Sequence, residues 1–256
     1  LSTKIIVAVA FAGMVVVNYL STSLPLGGIT PDGVSDKFPT LFTPAGYVFS
    51  IWGLIYVLLA GLVIYSFVSG SSRRIDRIAP LFVLSCALNT AWLFAWHWIL
   101  LPLSLAIMVA LLLTLILIVQ RLREADTPPS TGEKWLVHLP FSIYLGWISV
   151  ATIANASAVL YEAGWDGWGL TPEAWTVLLM SAAIILGVAS VLMRGDFAYT
   201  LVIVWALVGI GVRHSDYPPL SFAGLTATSW MGAAALLLFM AWRLAVARSS
   251  RDVRSG

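Results

Sequence analysis

The chain has 256 residues, 60% hydrophobic and 10% charged, with a formal net charge of +2 and a mean hydropathy of +0.93. Soluble domains carry about 25% charged residues, so this composition excludes a soluble globular fold and describes an integral membrane protein. The small charge gives a nucleic-acid partner no support, and a lone cysteine, Cys86, excludes an intramolecular disulfide.

A helix needs about 20 mostly apolar residues to cross the hydrocarbon core, and eight segments qualify. The first is residues 5–24, which lacks a small-residue cleavage site and reads as a retained helix. A long neutral-to-acidic loop comes next. The second span, 42–68, opens "TPAGYVFSIWGLIYVLLAG", with Tyr47, Phe49, Trp52 and Tyr56 crowded into its first turns. Such rings serve either as an interfacial belt or as the wall of a pocket. The third span is 80–98 and the fourth 101–120, so "HWIL" and Pro102 imply a tight hairpin. The fifth is 135–160. After it, "YEAGWDGWGLTPEAW" reads as an ordered lid or interfacial loop. The sixth, seventh and eighth spans are 172–193, a short 197–212 and 220–244. Prolines 44, 80, 102, 140, 172 and 219 fall at or near predicted helix starts, where a missing N–H does little harm.

Eight spans put twelve of the fourteen Lys and Arg residues on the side of the N-terminus and leave only Lys37 and Arg213 opposite. The positive-inside rule makes the basic side, and both ends of this chain, cytoplasmic. The expected location is a bacterial inner (plasma) membrane. A missed span would scramble this segregation, so the charges support the count.

No Asp, Glu, Lys or Arg falls mid-span, which argues against an ion-driven transporter. The polar residues inside spans are Asn18, Asn89 and Asn155, with scattered Ser and Thr. A buried asparagine either bonds across helices, worth roughly 0.6–2 kcal/mol, or orients a ligand. Asn89, Trp92 and Trp96 are spaced i, i+3, i+7 and share a helix face, and Tyr144, Trp147, Ala151, Asn155 and Ala158 form a similar stripe. Aromatic stripes serve packing as well as pockets. His97, His138 and His214 lie toward span ends and read as interfacial groups; a haem held axially by His97 and His214 has no spacing signal. Asp32, Asp36, Glu162, Asp166, Glu173 and Asp216 fall outside the spans. No catalytic triad, carboxylate pair or metal-ligand spacing calls for an enzyme.

Three of these stretches together resemble the TspO/MBR family of tryptophan-rich sensory proteins and translocator proteins. Pro44, Tyr47, Phe49, Trp52 and Tyr56 resemble that family's second helix; Leu88, Asn89 and Trp92 its third; Tyr144, Leu145, Trp147, Ala151, Thr152 and Asn155 its fifth. The family's Phe-to-Trp step is one residue longer and contains a proline, so "FSIW" predicts a different local shape there. The resemblance covers residues 5–160 and implies a five-helix bundle around an aromatic-lined cavity that takes porphyrins, sterol-like molecules and related hydrophobic ligands. The expected architecture is therefore an all-α membrane protein of about eight transmembrane helices: a TspO-like bundle over 1–160, and three further helices with a basic cytoplasmic tail over 161–256. The expected ligand-binding residues are Trp52, Tyr56, Asn89, Trp92, Trp96, Trp147 and Asn155, with the loop 25–41 as lid. The expected ligand is a porphyrin or haem, a sterol-like molecule or an isoprenoid, bound for sensing or trafficking. Expected partners are the lipid bilayer and, as alternatives, a second copy or a larger membrane complex. In the latter the chain would be an accessory subunit; a passive permease is the other alternative.

Overall fold

The computed structural model describes residues 3–23, 28–69, 73–124, 127–216 and 223–255. Among them the chain is all-α, without strands. Eight helices are long and apolar enough to cross a membrane. They are α1 (Thr3–Ser23), α3 (Ile51–Val68), α4 (Arg73–His97), α5 (Leu101–Arg123), α7 (Leu139–Glu162), α8 (Pro172–Arg194), α9 (Phe197–Asp216) and α10 (Ala223–Ser255). Two short helices lie between them, α2 (Pro31–Asp36) after α1 and α6 (Thr131–Glu133) before α7. The predicted ends at Leu24, Pro25, Pro219 and Leu220 lie outside the described residues.

The spans are where the apolar windows put them, but several ends move. Pro80 does not open a helix. α4 starts at Arg73 and carries Pro80 inside it. Arg74, Asp76 and Arg77 are too polar to count toward a span, yet they extend the helix beyond the apolar window. The proline then costs the hydrogen bond to the Asp76 carbonyl, at the polar end of the helix. Pro140 does fall in the first turn of α7, although the chain is already helical before it. Lys134–His138 widens into a π turn just before it, which accommodates a residue that has no N–H and that crowds the carbonyl four positions back. α9 is 20 residues long rather than short, because Arg213 and His214, which end the apolar run, continue the helix and are buried. The α4–α5 hairpin closes as expected: Ile99 takes a left-handed φ of 57°, with its N–H on Trp96 O and that of Leu100 on Ala95 O, a Schellman closure on a residue other than glycine.

The helices form two compact units. The first comprises Leu1–Thr40 and Phe49–Trp165; the second comprises Leu41–Val48 and Asp166–Gly256. In the first, α4 packs on α5 and α1, α5 on α7, and α3 on α1 and α7. In the second, α9 packs on α10 and α8, and α8 on α10. Lipid is as apolar as leucine, so packing and interhelical hydrogen bonds hold such bundles together. Gly187 lets α9 approach α8, where Thr200 Oγ1 donates to Gly187 O at 2.9 Å. On the polar side of the first unit, buried Arg74 ties α4 to the loop before α6. Its Nη1 lies 2.6 Å from Glu133 Oε2, and its Nη2 donates to Thr127 O. Glu133 also completes a capping box with Ser130. The loop after α7 is ordered: Asp166 Oδ1 accepts the Trp168 N–H at 2.9 Å, and Trp175 Nε1 donates to Gly167 O at 2.7 Å.

Candidate ligand site

The first unit gathers most of the expected site residues around one ring. Trp52, at the start of α3, is stacked on Tyr56 with ring centroids 5.8 Å apart. Its other neighbours are Trp92 at 6.2 Å, Trp147 at 6.1 Å and Tyr144 at 5.9 Å. Trp92 stacks in turn on Trp96 at 5.8 Å. The i+4 spacing of 52 and 56 and of 92 and 96 places each pair on one helix face, one turn apart. α3, α4 and α7 thus each contribute rings to one cluster. Trp92, Trp96, Trp147 and Tyr144 are buried, whereas Trp52 and Tyr56 are half-buried.

Beside the rings runs a chain of uncharged polar groups. Asn18 Nδ2 on α1 donates to Asn89 Oδ1 on α4 at 2.8 Å, and Asn89 Nδ2 donates to the Tyr144 hydroxyl on α7 at 3.1 Å. The Tyr56 hydroxyl lies near Asn89 and Tyr144 but outside hydrogen-bond geometry. Cys86, buried, is near both tyrosines. Two indole donors in the cluster, Trp92 Nε1 and Trp147 Nε1, are buried and make no hydrogen bond among the described residues. Leaving such a group unmet costs about 1–3 kcal/mol, and most buried polar groups in native structures are paired. With the Tyr56 hydroxyl, three unmet donors on adjoining rings are a concentrated exception.

The remaining site residues divide. Trp96 Nε1 donates to Pro31 O at 2.9 Å, so the α2 turn of the predicted lid is fastened to the ring cluster; Pro25 of that lid lies outside the described residues. Asn155 makes no ring contact of this kind. It exchanges hydrogen bonds with Ser104 on α5, 3.2 Å and 3.1 Å, and sits eight residues beyond Trp147, about 12 Å along the helix. Its arrangement is that of an interhelical clasp. Asn155→Ala is therefore expected to cost about 1–2 kcal/mol of stability and to leave ligand affinity unchanged, which paired thermal-unfolding and binding measurements check.

One sequence reading is corrected here. His97 and His214 are not interfacial groups: both are buried, His97 Nδ1 lies 2.8 Å from Leu93 O, and His214 Nε2 lies 2.8 Å from Leu41 O. Phe49, which the sequence leaves open between belt and pocket wall, meets Trp147 edge-on at 5.8 Å. Tyr47 belongs to the second unit, where it packs on Trp205 at 5.3 Å. The turn Gly46–Ser50 is a 3-10 helix. Asn18, Phe49 and Tyr144 join the site beyond the expected set. Tyr144 is on the aromatic stripe of the fifth span, but nothing in the sequence names Asn18 as the partner of Asn89. Among the described residues no group of three His, Cys, Asp or Glu side chains is placed to hold a metal.

A membrane helix protein whose first unit holds an uncharged cluster of rings is the class of protein that fold and site define. The chain belongs to the TSPO-like protein family, whose pattern it matches over residues 4–242. The match continues through α8 and α9 into α10, past residue 160 where the motif resemblance stops. No curated protein and no solved structure matches the chain.

Proposed function

We propose that the chain binds a hydrophobic ligand against the Trp52 ring cluster, for sensing or trafficking. A tetrapyrrole, a sterol-like molecule or an isoprenoid meets the requirement of a large apolar body with a few acceptor atoms. The observation that carries this reading is the set of three unmet buried donors, Tyr56 OH, Trp92 Nε1 and Trp147 Nε1, on rings in mutual contact. A ligand acceptor between them would satisfy them, and the ring faces would stack on a planar body. The orientation proposed with it is the one the positive-inside rule gives, both ends of this chain in the cytoplasm of a bacterial cell.

The ring faces of these six residues, Trp52, Tyr56, Trp92, Trp96, Tyr144 and Trp147, suit a porphyrin macrocycle. The six include no cation. A carboxylate held by a cation would gain about 1.5–3 kcal/mol, more than tenfold in affinity. The test is to titrate detergent-solubilised protein with protoporphyrin IX and with its dimethyl ester, following tryptophan emission. Saturable quenching by both, with affinities within tenfold, is expected. Quenching that rises linearly without saturation would overturn the reading.

A further inference from the structure

The segment that leads into α3 is held by α9. Residues Leu41–Val48 belong to the same compact unit as α9 and run antiparallel along it. Leu41 O meets His214 Nε2 at 2.8 Å. Ala45 N donates to Gly209 O at 3.0 Å. Val48 O accepts from Trp205 Nε1 at 3.1 Å. Val48 is fully buried, and the fit at Gly209 admits no side chain: a Cβ there would stand 2.1 Å from Val48 Cγ2 and 3.2 Å from Pro44 Cβ. Three polar contacts and one steric fit, spread along α9 from Trp205 to His214, make a built seat, not a chance touch.

The seated segment leads directly into the ring site. Phe49, the next residue after Val48, packs on Trp147, and Trp52, the hub of the cluster, comes four residues after Val48. The 3-10 turn Gly46–Ser50 and α3 form one continuous helical span, so the placement of Val48 is passed along a stiff rod to both rings. We propose that Trp205, Gly209 and His214 are positioning residues for the ring site. By seating Leu41–Val48 they fix the start of α3, and so bias the arrangement of Phe49 and Trp52 that receives the ligand. This rests on the ligand-site reading above, and it gives α9 a role, acting on the site through the chain segment that it seats. By linkage, a ligand that favours one placement of Trp52 tightens the seat in return.

The test uses the full chain in detergent and its single cysteine. Cys86 is buried near Tyr56 and Tyr144, so its alkylation by N-ethylmaleimide reports opening of the ring core without any ligand. Trp205→Phe deletes the donor to Val48 O and keeps a ring against Tyr47; Gly209→Ala forces Val48 away. Loss of one buried hydrogen bond shifts a local opening equilibrium by about tenfold, and an increase of that order in Cys86 alkylation is expected in both variants. Leu201→Ala on the exposed face of α9 is expected to leave the rate unchanged. The two seat variants are also expected to bind protoporphyrin IX more weakly than the parent chain. Cys86 alkylation at the parent rate in both variants overturns the proposal, whether backbone hydrogen exchange over 41–48 is accelerated or not. Absence of porphyrin binding by the parent chain would remove the ligand-site reading alone, because the thiol measurement does not depend on it.

Discussion

Trp52→Ala is expected to weaken protoporphyrin IX binding by about 30- to 1000-fold, the range of about 2–4 kcal/mol that a central aromatic anchor supplies. Trp52 alone touches four other rings of the cluster, and each such pair contributes about 0.5–1.5 kcal/mol beyond area burial. Removing it separates Tyr56 on α3 from Trp92 on α4 and Trp147 on α7. Trp52→Phe restores an aromatic face and should recover most of the affinity. Trp147→Phe makes a sharper comparison. It deletes a buried N–H that has no partner among the described residues, so thermal stability should hold or rise while affinity falls by about tenfold, the worth of one hydrogen bond. A purely structural tryptophan would show the opposite, stability lost and affinity kept. Fluorescence titration beside thermal unfolding of each variant distinguishes the two.

The largest stability effect is expected at the Arg74–Glu133 pair. Glu133→Ala should destabilise the first unit by about 3 kcal/mol, the low end of what breaking a buried ion pair costs. The side chains are 8% and 16% exposed, so the abandoned guanidinium cannot simply turn to solvent. The estimate sits at the low end because Arg74 keeps its contacts to Thr127, including Oγ1 at 3.3 Å. Loss of the capping box adds about 1 kcal/mol. For a chain of this size each kcal/mol moves the midpoint by about 2–4 °C, so a fall of about 6–16 °C is expected in detergent. Arg74→Ala removes the charge that would otherwise be stranded. The double variant should therefore cost less than the two single changes together.

The spans were legible because a 20-residue apolar window has few other uses, and their number because the basic residues segregate only if it is right. The helix ends were not. Hydropathy stops at Pro80 and Val212, whereas the backbone continues through Arg74 to Arg77 upstream and through Arg213 and His214 downstream, where hydrogen bonding rather than apolarity decides. The rings at 52, 56, 92, 96 and 147 could be assembled from helical spacing and family motifs. Tyr47 and Phe49 could not be placed, because the 3-10 turn Gly46–Ser50 changes the angle per residue and sends one ring to Trp205 and the other to Trp147. Partners distant in sequence stayed hidden. Asn155 looks the same on paper whether it faces a ligand or Ser104, and the bond between Asn18 and Asn89 joins helices 71 residues apart. The seating of Leu41–Val48 on α9 was invisible for the same reason: Gly209 is one glycine among 20 until a backbone is seen against it.

The most direct measurement is an experimental density map of the protein equilibrated with protoporphyrin IX. The ring-site account predicts planar density stacked on Trp52, acceptor atoms within hydrogen-bond distance of Trp92 Nε1 or Trp147 Nε1, and the Trp52–Trp92 centroid separation opened beyond its present 6.2 Å. Density bound elsewhere, with the Trp52 cluster still closed on itself, would contradict it.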